Sequence, residues 1–314
     1  MVQAVGGVRI GWAQLPAPVR VGVEAIVGDR VVEAVSQPGG FSPGTADRVR
    51  TADGRRAFVK AVHPTLNERT PELHRREGRV TANLPAGVPA PRLLGAYDDG
   101  QWIALVLDDV EGRHPATPWQ RDELAAVLTA LDRLGAQELP PGLRDLPATE
   151  ADLAHSLAGW VRLDADPPDD LDSWARDHLD DLCDVSSRAS AALTGNSLVH
   201  TDVRADNLLL RPDGTVVLVD WPWATRGAAW FDTLALLINV RLSGGHDVDA
   251  LLTAHAGAGL PPADLTAALA GLAGYFLDAG RQPPPTGLPT VRGFQAAQGQ
   301  TALAWLRQRL HAQR

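Results

Sequence analysis

The chain has 314 residues, 45% of them hydrophobic and 21% charged, with a formal net charge of −9. That length can bury a substantial core and implies one large domain or two lobes, while the negative charge argues against nucleic acid or an acidic membrane surface as the main partner. The single cysteine, Cys183, rules out an intrachain disulfide; with no membrane-length apolar run and no signal peptide in MVQAVGGVRIGWAQLPAP, the expected location is the cytoplasm.

Residues 1–17 carry no clear pattern. Residues 18–27 (PVRVGVEAIV) read as a short amphipathic helix ended near Gly28, expected to pack on the outside of a first lobe. Residues 30–37 alternate as a strand. Residues 38–44 (PGGFSPG) form a glycine-rich loop, 45–51 a second strand, 52–55 a turn with Asp53-Gly54 at its centre, and 56–62 (RAFVKAV) a third strand bearing Lys60. Residues 70–84 are helical, with Thr70 as the cap and Pro71 in the first turn. After a proline-rich connector, residues 93–97 and 101–107 read as two strands around Asp98-Asp99-Gly100, and 108–112 (DDVEG) as a polar link out of the sheet. β-like runs dominate up to this point and helices after it, which sets a lobe boundary near residues 112–118: an N-lobe of residues 1–112 and a C-lobe of 113–314. Helices are expected over residues 118–137, 152–161 and, as one long helix, 171–193. The aspartate-rich stretch 163–184 reads as a solvated face, with a docking face for a polycation as the alternative. Residues 221–227 read as a loop and 228–242 as a strongly apolar helix whose buried Asp232 needs a partner, the nearest being the backbone of the loop near residue 200. Three more helices follow over residues 248–257, 262–279 and 292–309.

Residues 198–223 (LVHTDVRADNLLLRPDGTVVLVDWPW) carry the chemistry. His200, Asp202 and Asn207 stand in the spacing H-x-D-x-x-x-x-N. A short apolar run, a Pro-Asp-Gly turn at residues 212–214 and a second apolar run lead to Asp220. Two strands joined by such a turn make a hairpin, which returns the chain and sets Asp220 beside Asn207. Asp202, Asn207 and Asp220 then converge, as phosphoryl transfer requires: one carboxylate to take a hydroxyl proton, an amide and a second carboxylate to hold magnesium. Lys60 is the only lysine in a chain that otherwise uses arginine for positive charge. A lone lysine in such a chain suits a phosphate in a tight site, where a compact point charge serves and a planar fork does not.

This set resembles the aminoglycoside phosphotransferase family, small-molecule kinases of protein-kinase-like fold that include choline and homoserine kinases. The resemblance runs from about residue 30 to the C-terminus. It rests on Lys60 on a third strand, Glu77 on the next helix, a link near Asp109, H-x-D-x-x-x-x-N at 200–207 and Asp220 after a hairpin. It implies an α+β bilobal fold, with a small antiparallel-sheet N-lobe and a mainly helical C-lobe. The glycine loop is not a clean G-x-G-x-x-G. No A-P-E segment and no long activation loop follow Asp220, which favours a small-molecule kinase over a protein kinase.

The resemblance also implies roles. Asp202 is the catalytic base, and Arg204 steadies the transferring phosphoryl group. Asn207 and Asp220 bind Mg2+ bridging the phosphates of ATP. Lys60 holds the α- and β-phosphates, Glu77 rather than Glu72 positions it, and the glycine loop, through Gly40 and Ser42, covers the phosphates. Backbone groups of Asp108 to Val110 face the adenine edge. His200 and Asp232 are structural, and Trp221, Trp223 and Trp230 pack into the second lobe or wall the substrate site. The implied function is ATP-dependent phosphorylation of a hydroxyl on a small molecule, an aminoglycoside or other cationic antibiotic fitting the acidic second lobe. The alternatives are a metabolic kinase of choline, homoserine or amino-sugar type and a non-catalytic nucleotide-binding pseudokinase.

Overall fold

Five strands, β1 (Val31–Ser36), β2 (Thr45–Thr51), β3 (Arg56–Val62), β4 (Leu93–Asp98) and β5 (Ile103–Asp108), form one antiparallel sheet in the order β1-β2-β3-β5-β4. The structure is a computed structural model and describes residues 8–40, 42–255 and 260–312. The two-residue period of a strand decides what each face of β3 meets. Ala57, Val59 and Ala61 point one way and pack, with Val49, Ala104 and Val106, against Val19, Val23 and Val27. Those valines are four residues apart on α1 (Ala17–Val27), so they share one helix face, and Gly28 ends the helix at φ 99°. The helix expected on the outside of the sheet lies there. Lys60 falls on the other face of β3, paired across Ala46 of β2 and Leu105 of β5.

That second face is covered by α2 (Thr70–Ala82). Its cap differs from the expected one: Asn67 Oδ1 accepts from the Thr70 N–H at 3.1 Å and from the Thr70 hydroxyl at 3.0 Å. The asparagine three residues upstream satisfies the helix end, and Thr70 is a donor in that cap.

The larger, helical part begins with α3 (Arg121–Gly135). Short helices follow: α4 (Thr149–Asp152), α5 (Ala154–Leu157), α6 (Gly159–Ala165), α7 (Ser173–Asp177), α8 (Leu179–Ser187) and α9 (Ala189–Ala192). The single helices expected over 152–161 and 171–193 are therefore broken. Side chains explain the later breaks. His178 Nδ1 bonds to the Trp174 carbonyl at 2.8 Å, so the His178 N–H turns to Ala175 instead. Ser187 Oγ donates to the Asp184 carbonyl at 2.6 Å, and the Arg188 N–H shifts to Val185. His178 takes the carbonyl its own N–H would use, and Ser187 takes the one the Arg188 N–H would use.

Two short strand pairs then lead to the C-terminal helices. β6 (Ser197–Val199) pairs with β9 (Thr225–Gly227), and β7 (Leu208–Leu210) with β8 (Val216–Leu218). β9 lies in the stretch expected to be only loop. It is three residues long, too short for an alternation signal, and is fixed by tertiary contact: buried Thr225 Oγ1 meets Thr149 Oγ1 at 2.6 Å. The chain continues through α10 (Phe231–Ser243), α11 (Val248–His255), α12 (Pro262–Gly280) and α13 (Val291–Ala312). Residues 256–257 of the helix expected over 248–257, and residues 1–7, lie outside the described residues. Leu234, Leu237 and Ile238 of α10, Leu269 and Ala273 of α12, and Leu303 and Leu306 of α13 form the centre of the main core. Among the described residues no helix is long and apolar enough to cross a membrane.

Candidate active site

The β7–β8 hairpin has the register Leu208↔Leu218, Leu209↔Val217, Leu210↔Val216. Beyond it the Val219 N–H donates to the Asn207 carbonyl at 3.0 Å, which brings Asp220 back beside Asn207. The link from β5 is drawn onto the same hairpin. Arg113 and Leu210 exchange backbone bonds of 3.1 and 2.7 Å, and a Cβ on Gly112 would stand 2.9 Å from the Leu210 carbonyl oxygen, so only glycine permits this approach.

Two residues of this region hold left-handed backbone without being glycine: Thr201 at φ 65° and Asp220 at φ 68°. Such conformations persist only when surroundings enforce them. Asp232 at the start of α10 enforces the first, accepting from the His200 and Thr201 N–H groups at 2.8 Å each, while Thr201 Oγ1 donates to the Trp223 carbonyl at 2.7 Å. The partner expected for Asp232 is thus the loop backbone. Burial lowers the pKa of His200, keeping the ring neutral; its Nε2–H donates to the Val219 carbonyl at 3.0 Å, and its Nδ1 accepts from the Asp202 N–H at 3.3 Å. His200 therefore ties the Asp202 strand of the loop to the Asp220 end of the hairpin.

Lys60, Glu77 and Asp220 meet in one cluster. Lys60 Nζ lies 2.5 Å from Glu77 Oε2 and 2.6 Å from Asp220 Oδ1. Glu77 is buried, whereas Glu72 faces solvent. Burial alone would discharge the lysine, but Asp220 and then Glu77 override it and hold the ammonium above its ordinary value. Burial would likewise raise Asp220; the lysine's charge and hydrogen bond overcome that, with help from Arg204, and bring it to about 2. Burial pushes Glu77 up to about 7, with Lys60 pulling it down and Asp220 pushing it further. His74, one helical turn before Glu77, is lowered to about 3 by burial and then by the Lys60 charge, so it is neutral.

Asp202 and Asn207 form the other half. Asn207 Nδ2 donates to the Asp202 carbonyl oxygen at 2.8 Å and to Asp202 Oδ2 at 3.0 Å. Arg204 pairs with Asp202 Oδ1, and also grips Asp206 through Nε and Nη2 at 3.0 Å each. Burial raises Asp202 to about 6 even though Arg204 pulls it down. Asp206 had no expected role; the alternating charges D-x-R-x-D at 202–206 are the signal that points to it.

Magnesium takes oxygen ligands, uses one or two carboxylates and shares the rest with phosphate and water. With both amide protons of Asn207 Nδ2 turned to Asp202, its Oδ1 is the atom left for a cation, and Asp220 is ionised. This donor set fits Mg2+. Among the described residues no three His, Cys, Asp or Glu side chains gather into an all-protein metal cage.

The glycine loop and the link beyond β5 flank the cluster. Gly44 at φ 105° passes so close to β3 that a Cβ would meet the Ala61 carbonyl oxygen at 2.3 Å. Gly39 and Ser42 turn their carbonyls to Arg9, Gly39 O accepting from Nη2 at 2.6 Å. Gly40 lies between them; Phe41 lies outside the described residues. The Asp108 N–H is already used by the Arg92 carbonyl at 2.9 Å, so this residue has only its carbonyl left for an adenine edge. Asp109 anchors the link to the sheet, accepting from Arg48 Nε at 2.6 Å and Arg56 Nε at 2.7 Å, and Val110 follows it on the way to the hairpin.

Trp221 and Trp230 are core residues, whereas Trp223 is half-exposed with the Arg69 guanidinium 5.7 Å above its ring. Tyr275 of α12 is near enough to Asp202 that burial, and then this carboxylate, raise its phenol; Gln295 of α13 donates to it at 3.4 Å. Nothing in the spacing of α12 or α13 marks these residues. In the aspartate-rich stretch, Asp164, Asp166, Asp169, Asp170, Asp177, Asp180, Asp181 and Asp184 are exposed, as a solvated face would be. Asp181 and Asp184 border a shallow groove with Trp174 and Leu310 that includes no residue of the 200–207 loop.

The sequence profile of the phosphotransferase enzyme family matches residues 39–275. Compared by sequence, no curated protein matches the chain. Among solved structures it is similar to an aminoglycoside phosphotransferase from Alicyclobacillus acidocaldarius, at 17% identity over 95% of this chain and 97% of that one, TM-score 0.51. It is also similar to a thermostable variant of aminoglycoside phosphotransferase APH(4)-Ia in complex with ADP and hygromycin B, at 16% identity over 93% and 98%, TM-score 0.60. A spectinomycin phosphotransferase in complex with ADP and spectinomycin is 10% identical over 91% and 97%, TM-score 0.63. At these identities the likeness is one of fold: the bilobal α+β, kinase-like architecture.

Proposed function

Because the chain belongs to the phosphotransferase enzyme family, we propose that it transfers the γ-phosphoryl group of ATP to a hydroxyl of a small molecule. The observation that carries this reading is the convergence of three distant segments. Lys60 of β3 bonds Glu77 of α2 and Asp220 after the hairpin, while Asn207 bonds Asp202 across the loop. In this reading the lobes divide at Gly112, with residues up to 112 covering the nucleotide and residues from 113 carrying the loop and the acceptor.

Asp202 accepts the proton of the acceptor hydroxyl as its oxygen bonds to the γ-phosphorus and the bond to ADP breaks. A carboxyl raised to about 6 is still ionised at neutral pH, yet basic enough to take that proton. Arg204 fixes one oxygen of Asp202 and adds positive charge beside the transferring group. Lys60, positioned by Glu77, holds the α- and β-phosphates; Gly40 and Ser42 cover them; Asp108 and Val110 border the adenine. Asn207 and Asp220 would hold Mg2+, which would neutralise charge on the phosphates. The protein's contribution is positioning and electrostatics.

For the acceptor we favour an aminoglycoside or another cationic antibiotic. The net charge of −9 and the carboxylates Asp202 and Asp206 at the loop support this, as do the ligands of the solved neighbours. An ATP donor and a single cysteine support a cytoplasmic location. The test is ADP release with ATP and Mg2+ across aminoglycosides, other amine antibiotics, choline, homoserine and amino sugars. Turnover on a cationic antibiotic supports the whole reading. Turnover only on choline, homoserine or an amino sugar overturns the acceptor assignment, and nucleotide binding without any turnover overturns the enzyme in favour of a pseudokinase.

A further inference from the structure

We propose that Arg9, from the segment ahead of the first helix, is a second phosphate-binding cation of the nucleotide site, taking the β- or γ-phosphate alongside Lys60. This rests on the phosphotransferase reading and adds to it a residue outside the stretch, 39–275, that carries the family match.

The segment bearing Arg9 is built into the site. The Gly44 N–H donates to the Val8 carbonyl at 3.0 Å and the Ile10 N–H to the Gly44 carbonyl at 3.3 Å, so residues 8–10 run beside the glycine loop. The Val8 N–H reaches the Gly287 carbonyl between α12 and α13 at 3.0 Å. Two residues on, the Trp12 N–H donates to Asp47 Oδ2 at 2.6 Å, and Ser36 Oγ takes Asp47 Oδ1 at 2.6 Å. These bonds fix Arg9 under the loop before any ligand arrives, which lowers the ordering cost of binding.

The guanidinium itself is incompletely satisfied. Nη1 donates to the Ser42 carbonyl and Nη2 to the Gly39 carbonyl, but Nε is buried with no partner. Among the described residues Arg9 makes no ion pair: the Asp47 oxygens bond Trp12 and Ser36, so Asp220 and Asp47 act on Arg9 only through space. A largely buried cation with no counter-ion in contact is costly. Lys60, Asp220 and Arg9 all act electrostatically on neutral His74, so Arg9 shares the neighbourhood of the Lys60 cluster. Lys60 bonds two carboxylates there, whereas Arg9 bonds only backbone carbonyls. An arginine fork in a cleft matches phosphate oxygens in geometry and charge, and a polyphosphate entering beneath the glycine loop would supply the missing anion.

The competing role is a brace that only shapes the loop through its two carbonyls. Calorimetric titration of the full chain with ATP, ADP and adenosine in Mg2+, at two salt concentrations, separates them. Variants are Arg9→Met and Arg9→Lys, with folding checked by thermal melting. Lysine keeps the charge but cannot fork both carbonyls. The expected result is at least about tenfold weaker ATP and ADP binding in Arg9→Met, a shallower salt dependence, unchanged adenosine binding, and recovery of most of the loss in Arg9→Lys. ATP binding equal to wild type in Arg9→Met, or Arg9→Lys as weak as Arg9→Met, overturns the inference. Wild type that binds no nucleotide fails the phosphotransferase reading itself; wild type that binds ATP beside an unaffected Arg9→Met fails only the role of Arg9.

Discussion

Replacing Asp232 by asparagine leaves the shape of the side chain and removes one of its two acceptors. In the wild type both oxygens are used, each accepting a backbone N–H at 2.8 Å, from His200 and from Thr201. Hydrogen bonds to a charged partner contribute about 1.5–3 kcal/mol each. Asparagine keeps one of them and turns its own N–H2 against the other donor. Burial of the carboxylate, which raises the Asp232 pKa, offsets part of the loss. The net destabilisation is about 2 kcal/mol for Asp232→Asn, and about 4 kcal/mol for Asp232→Ala, which strands both N–H groups. The effect on turnover is larger than the effect on folding. Thr201 sits at φ 65°, a conformation costing about 1–3 kcal/mol, and relaxes once its N–H is released. Asp202 is the next residue, and a displacement of about 1 Å at a reacting group costs about 10²-fold. Urea unfolding and steady-state ADP release on the same preparations read both quantities. An Asp232→Asn protein with wild-type midpoint and wild-type kcat would refute the reasoning.

Two pH effects follow from burial. His74 has a native pKa of about 3 against an ordinary 6.5, so below pH 6.5 the unfolded chain binds a proton that the native protein refuses. Stability from this residue is full above pH 6.5 and falls as pH drops towards 3, by about 1.5–2 kcal/mol between pH 6.5 and 5. His74→Gln removes that slice, so the gap between variant and wild-type unfolding free energies changes by this amount between pH 7 and 5; an equal gap at both pH values sinks the idea. Asp202, raised to about 6, must be ionised to act as base, so kcat/KM falls about tenfold per pH unit below 6. A rate profile flat down to pH 5 contradicts this.

Much of the first lobe could be read directly from residue patterns, because the signals there are local. Strands β2 and β3 carry alternation bounded by a glycine loop and an Asp-Gly turn, and their ends fall at the expected residues. The same alternation places Lys60 opposite the α1 face, and the Pro-Asp-Gly turn returns Asp220 to Asn207. What escaped was decided by contacts between distant segments or by single side chains. β9 exists because three residues find β6 and Thr149. The long helix expected over 171–193 breaks where His178 and Ser187 take carbonyls from the backbone, a competition that apolar periodicity does not record. Arg9 stands in a segment with no period of its own and matters only because residues 8–10 run beside Gly44. Tyr275 and Gln295 reach the neighbourhood of Asp202 through the packing of α12 on α13.

The central claim is that Asp202 acts on the acceptor while Lys60, Asn207 and Asp220 hold the nucleotide. The most direct measurement compares wild type with Asp202→Asn in acceptor-dependent ADP formation, using the acceptor that gives turnover, with the Kd for ADP and Mg2+ measured on the same samples. Loss of a positioned base costs about 10²–10⁴-fold. The expected outcome is a kcat reduced by that factor with nucleotide affinity retained. Turnover in Asp202→Asn equal to wild type, with intact nucleotide binding, would contradict the account.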